Sequence, residues 1–169
     1  TYKTDKNGFV QIDKLYGTNE CVLEKPGYKF ETSYLVNYYQ SKISAVGQQL
    51  FDILGSVCSG EIILDGAKII CNDKEYSSNE LGEFKIENVY GIVNLTIEKN
   101  GYNTQTRLVS KDSERLDINL NYNVTGVILC ADIPIEDVKI SNGQKSVYSQ
   151  KDGKFELCGL YGENYITFE

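Results

Sequence analysis

Histidine, methionine and tryptophan are absent from the 169 residues, and proline occurs only twice. Without histidine the chain lacks the usual general base at neutral pH and the commonest zinc ligand. Methionine is missing even at position 1, where threonine stands, which reads as the mark of a fragment or a processed chain. No apolar run approaches the ~18 residues a spanning helix needs, so no membrane span is expected within this segment. The opening residues do not read as a signal peptide, which a longer protein could have carried and lost. No cluster of lysine or arginine occurs and the formal net charge is −7, which argues against a nucleic-acid partner, because phosphate neutralisation needs a basic surface.

What is present points to strands. A hydrophobic fraction of 41% with 11% aromatic residues is that of a folded chain. Thirteen tyrosines and fifteen glycines favour β-structure and tight turns. The five cysteines (Cys21, Cys58, Cys71, Cys130, Cys158) are far apart, odd in number and form no C-x-x-C, so neither zinc nor a dithiol redox motif is indicated. Cys58 with Cys71, or Cys130 with Cys158, could pair. The simpler expectation is that most are free, small, buried hydrophobes.

The segment from Asn79 to Tyr102 organises the chain. Phe84 and Ile86 alternate with Lys85 and Glu87, and Leu95 and Ile97 with Thr96 and Glu98, the period of two of a strand with one buried face. The first part of this segment occurs three times without a gap, over Thr4–Gly17, Ser78–Gly91 and Ser149–Gly162. Gly8, Gly82 and Gly153 coincide at intervals of 74 and 71 residues, and so do Tyr16, Tyr90 and Tyr161. The glycine column is expected to supply a positive φ where a turn enters a strand. Val10/Phe84/Phe155, Ile12/Ile86/Leu157 and Leu15/Val89/Leu160 are expected to face the core, followed on the returning strand by Cys21/Leu95/Ile166 and Leu23/Ile97/Phe168.

Further strands are predicted over 104–109, 116–120, 67–70 and 138–141. Leu50, Asp52 and Leu54 are placed in the columns of Leu116, Ile118 and Leu120, which leaves eight extra residues around Tyr38–Val46. New units are read as opening at Ser59-Gly60 and Thr125-Gly126, with a loop five residues wider in the last unit. The division that follows is 1–54 (second half of a β-sandwich repeat), 55–123 (a complete repeat) and 124–169 (first half of another). Half a sandwich cannot cover its inner face, so the chain is expected to be cut from a longer array, or to have its open ends completed by a neighbouring chain. The expected fold class is all-β, in tandem seven-stranded sandwich domains.

The succession Ser/Thr-Gly-x-Val/Ile, Gly-Ala-x-Ile, Gly-x-Phe-x-Ile, Tyr-Gly and Gly-Tyr resembles the carboxypeptidase regulatory-like family. That resemblance implies a transthyretin-like, Ig-like sandwich serving as a non-catalytic spacer or interaction module. It also implies an extracellular or cell-surface setting, or the lumen of the endoplasmic reticulum. Two sequons, at Asn94 and Asn123, would matter only in a eukaryotic secretory lumen.

Other candidate chemistries have simpler readings. Pilin-type sandwiches related to this fold carry lysine–asparagine cross-links, but alternation turns Lys68 and Lys139 outward. Asp5-Lys-Asn-Gly8 and Lys151-Asp-Gly153 lack the further oxygen ligands of a calcium loop and read as turns. Glu24, Glu98 and Glu169 share one column about a domain apart, too distant for an acid/base pair. Tyr34, Tyr38 and Tyr39 concentrate where the repeats disagree and are the candidate partner-binding residues. The expected function is a non-enzymatic scaffold, stalk or spacer without a cofactor, contacting a protein partner or neighbouring repeats. The alternative is a module binding a partner or a carbohydrate through Tyr38 and its neighbours.

Overall fold

The computed structural model describes residues 1–31, 33–113 and 115–169. They form an all-β fold with no helix among them, divided into two compact units, Thr1–Leu50 and Phe51–Glu169.

In the first unit β1 (Asn19–Cys21) and β3 (Tyr34–Val36) form an antiparallel ribbon. The two residues of β2 (Tyr28–Lys29) pair with Gln49 and Gln48 at the start of β4 (Gln48–Ser59). No described residue of this unit is buried. Val10 and Leu15, expected to face the core, are exposed at 43% and 48%, and Ile12 is half-buried. The cause is local. Residues 9–18 pair with no strand among the described residues, so nothing covers their apolar face.

The second unit contains a β-sandwich. After β4 come β5 (Ile62–Ile63), β6 (Lys68–Cys71), β7 (Lys74–Ser77), β8 (Glu83–Tyr90), β9 (Val93–Glu98), β10 (Gln105–Val109) and β11 (Leu116–Asn119). One sheet runs β10-β9-β6-β7, and in the other β4 pairs with β11, β5 and β8. The β4–β11 pair is parallel, with Gly55 opposite Leu116 and Val57 opposite Ile118. Both sheets turn alternate residues inward, and Ile53, Val57, Ile69, Phe84, Ile86, Leu95, Ile97 and Ile118 meet in one buried cluster.

The chain continues through β12 (Tyr122–Val127), β13 (Leu129–Cys130), β14 (Ile133–Pro134), β15 (Lys139–Ser141), β16 (Ser146–Tyr148), β17 (Lys154–Leu160) and β18 (Thr167–Phe168). β12 pairs with β17, and β15 lies between β16 and β18. Ile140, Phe155, Leu157 and Leu160 are buried here. Phe168, expected in the core, is 56% exposed because no strand among the described residues pairs β18 on the side away from β15.

The hydrogen bonds repeat as the sequence does. The amides of Gly8, Gly82 and Gly153 donate to the carbonyls of Asp5, Asn79 and Gln150 at 3.0, 2.7 and 2.7 Å. All three glycines have positive φ (82°, 72° and 75°). A Cβ on Gly82 would lie 2.6 Å from the Val57 carbonyl oxygen, and one on Gly153 2.5 Å from that of Ile128. The column Lys14/Asn88/Gly159 is left-handed as well (φ 63°, 57° and 69°), a feature to which no glycine at the first two positions points.

Two expected alignments are corrected. Val57 donates to the Gly82 carbonyl as Ile128 does to that of Gly153, and Leu64 donates to Val57 as Ile135 does to Ile128. Gly55 therefore corresponds to Gly126, and the 44 residues from Gly55 to Glu98 match those from Gly126 to Glu169 at a constant interval of 71, with no wider loop. The Ser59-Gly60 turn corresponds to Cys130-Ala131, where Ala131 takes the same left-handed backbone without glycine. Leu50, Asp52 and Leu54 do not form a core column. Ile53, Gly55 and Val57 face inward and Leu54 is exposed, because Gly55 must lie under the Phe84 ring, and a slip by one residue reverses every side chain. Residues 43, 45 and 47, alternately half-buried, hold the place of Leu116, Ile118 and Leu120 instead. The eight extra residues shrink to one, since 19 residues separate Lys29 from its partner Gln48 and 18 separate Asn103 from its partner Asn121.

Candidate functional site

Tyr38 and Tyr39 sit at the tip of a turn after β3. The Asn37 side-chain oxygen accepts from the amides of Tyr39 (2.9 Å) and Gln40 (3.0 Å), and the Asn37 amide donates to the Gln40 carbonyl (3.1 Å). Fixed in this way, the two rings stand 90% and 94% exposed and meet edge to face with centroids 5.4 Å apart. The corresponding turn after β10 runs from Ser110 to Ser113 and carries Lys111 and Asp112, an exposed ion pair at 3.6 Å. Two exposed aromatics thus stand where the other turn carries two charges, although the backbone bonds of the two turns run in opposite directions. Tyr34 lies apart from them on β3, half-buried opposite Cys21, and partial burial and the neighbouring Glu31 raise its hydroxyl pKa.

A second polar and aromatic cluster lies between residues 55–123 and the segment that follows. Ser59 is fully buried, and its Oγ accepts from the Gly162 amide at 3.0 Å. Gly60, with φ 59°, lies so near that a Cβ there would be 3.2 Å from Gly162 Cα. The Tyr122 hydroxyl donates to the Gly162 carbonyl (2.8 Å) and accepts from Asn164 Nδ2 (2.9 Å), while the Tyr122 ring meets Tyr102 edge to face at 5.8 Å. Asn123 joins the same junction, accepting from Asn103 Nδ2 (3.1 Å) and the Gly159 amide (3.0 Å) and donating to Glu156 (3.0 Å). Beside these contacts opens a cleft of about 420 Å³ whose walls include Gly101, Tyr102, Tyr122, Glu163 and Tyr165. The short stretch of residues 121–124 leaves little slack between units in the sequence, but the Ser59–Gly162 contact and the cleft were not expected. The signal for them was the replacement of Ile92-Val93-Asn94 by Glu163-Asn164-Tyr165 at equivalent positions.

Several of the other charged groups form structural pairs. Lys68 reaches Glu75 (2.6 Å) and Glu98 (4.0 Å), and Lys139 reaches Glu169 (2.7 Å), so the matched glutamates hold matched lysines across paired strands. Hydrogen bonding to Glu75 and to Glu169 raises the pKa of each amine, and both side chains face outward as expected. The Asn88 amide, and after it Lys85, hold the Asp52 carboxyl below the usual aspartate value. Asp5 accepts from the amides of Asn7 and Phe9, and Asp152 from that of Lys154, so both act in turns. Among the described residues no group of three possible ligands is placed to hold a metal ion.

All five thiols are free. Cys71 is buried, and burial raises its pKa. Cys130 and Cys158 are exposed, contrary to the expectation of buried cysteines, because both occupy outward-facing positions, in β13 and β17.

No protein-family model matches the chain, and no curated protein matches it in sequence. Among solved structures it is similar to a streptococcal ancillary pilin, at a TM-score of 0.34 and 13% identity over 92% of this chain and 66% of that one. It is also similar to the Bacillus anthracis TIE protein, at a TM-score of 0.36 and 12% identity over 84% of this chain and 35% of that one. The chain thus spans just under two thirds of the first and about a third of the second.

Proposed function

We propose that this chain is a non-enzymatic scaffold segment, a stalk or spacer built from successive β-sandwich repeats with divisions at 1–54, 55–123 and 124–169. The resemblance to the carboxypeptidase regulatory-like family supports an extracellular or cell-surface setting. The observation that carries the proposal is the junction around Ser59, Tyr122 and Gly162. The buried Ser59 hydroxyl, the close approach of Gly60 to Gly162 and the Tyr102–Tyr122 ring contact tie residues 55–120 to the segment that follows, whereas independent modules are joined by slack linkers. Residual dipolar couplings measured on the whole chain test it. Residues 55–120 and 126–169 are expected to share one alignment tensor, and two distinct tensors would sink the proposal.

The exposed Tyr38–Tyr39 pair favours a second reading, in which its turn contacts a protein or carbohydrate partner, with Tyr34 nearby in sequence on β3. Fully exposed side chains contribute little to stability. Tyr38→Ala with Tyr39→Ala is therefore expected to shift stability by less than about 0.5 kcal/mol while weakening partner binding at least about tenfold. Undiminished binding by the double variant would refute this reading.

A further inference from the structure

We infer that the cleft beside Tyr122 is a binding site for a neutral saccharide ring, with Tyr102 and Tyr165 as its apolar walls and Glu163 as its hydrogen-bond acceptor. The inference is independent of the tyrosine pair at 38–39 and goes beyond a scaffold role.

The later repeat departs from the earlier one at residues 163–165. Val93 opens β9 and is buried, whereas Asn164, 71 residues later, is half-buried and polar, and β18 begins only at Thr167. The chain at 163–165 leaves the strand path. Asn164 then clasps Tyr122 (2.9 Å) and the Tyr161 carbonyl (3.0 Å), and accepts from Asn142 (2.8 Å). The Tyr122 ring is therefore fixed before any ligand arrives, which removes an ordering cost from binding.

Stiffness explains Asn164 but not its two neighbours. Tyr165 presents a ring 91% exposed at the cleft wall, and Glu163 makes no ion pair among the described residues. Opposite them Gly101 has φ 85° and no atom within 4 Å of where a Cβ would lie, so the space beside it is open. At about 420 Å³ the cleft falls in the range of small-ligand sites.

The chemistry left over selects the ligand. The Tyr122 hydroxyl and the Asn164 amide are spent on each other and on backbone, which leaves aromatic faces and one carboxylate. A pyranose presents C–H faces that pack on tyrosine rings and hydroxyls that donate to a carboxylate. Only Tyr122, at the start of β12, belongs to a strand, so the walls offer no free strand edge to an extended peptide. The Glu163 charge and the net charge of −7 disfavour acidic sugars.

The test is a titration of the full 169-residue chain, followed by amide NMR, with chitobiose, cellobiose and maltose as neutral probes. A uronic-acid disaccharide and a proline-rich decapeptide serve as contrasts. At least one neutral probe is expected to shift Gly101, Tyr102, Gly162 and Tyr165. Tyr165→Ala is expected to weaken that binding about five- to tenfold. Glu163→Gln is expected to weaken the neutral sugar and strengthen the acidic one. The proposal is overturned if none of the three neutral sugars shifts these amides, if Tyr165→Ala binds as tightly as the parent, or if the peptide alone produces the shifts.

Discussion

At the scale of single residues, glycines with similar φ carry different costs. Gly82 and Gly101 both have positive φ (72° and 85°), but a Cβ on Gly82 would strike the Val57 carbonyl oxygen at 2.6 Å, while one on Gly101 meets nothing within 4 Å. Gly101→Ala should cost the left-handed penalty alone, about 1–2 kcal/mol. Gly82→Ala adds displacement of a paired strand and should cost at least about 1 kcal/mol more. Urea denaturation compares them directly, and equal losses would show that β4 gives way freely. The need for positive φ at Gly82 was legible from its place before an alternating strand. That of Asn88 was not, because asparagine tolerates the left-handed region without announcing it.

At the scale of elements, two serines fasten the paired turns. Ser78 Oγ donates to the Leu64 carbonyl (2.6 Å) and accepts from the Ala67 amide (2.8 Å), while Ser149 Oγ joins the Ile135 carbonyl (2.8 Å) and the Val138 amide (3.0 Å). Both serines are buried. Ser78→Ala strands a buried carbonyl and a buried amide and should cost roughly 2–3 kcal/mol. An equilibrium melt with an unchanged m-value is the check, and a loss under about 0.5 kcal/mol would mean that water takes over both bonds. The strands themselves were readable from alternation, as at Phe84, Ile86, Leu95 and Ile97. Their alignment between repeats was not, since Ser59-Gly60 and Thr125-Gly126 look alike in sequence yet hold different places. The Val57–Gly82 and Ile128–Gly153 bonds, with those of Leu64 to Val57 and Ile135 to Ile128, reveal the true pairing. The tyrosine turn was visible because its residues break the pattern. The cleft went unread because Tyr102, Tyr122 and Tyr165 come from separate stretches of sequence.

At the scale of the molecule, burial is unevenly shared. The unit Thr1–Leu50 has no buried residue among those described, whereas Phe51–Glu169 holds every buried residue of the described core. Local opening needs less free energy where few apolar contacts resist it. Amides of β1 and β3 are therefore expected to exchange with solvent at least about a hundredfold faster than those of β6 and β9 in native-state hydrogen exchange. Comparable protection in the two sets would contradict that link between burial and local stability.

The constant 71-residue interval from Gly55 to Glu169 also bears on how such a chain can change length. A deletion or duplication of 71 residues between equivalent points, for example joining Tyr90 directly to Gly162, leaves every later residue in its own column. A change of 70 or 72 residues turns core side chains to solvent for the rest of the strand. Over this stretch, the changes of length compatible with the pleat of the strands are therefore whole multiples of 71 residues.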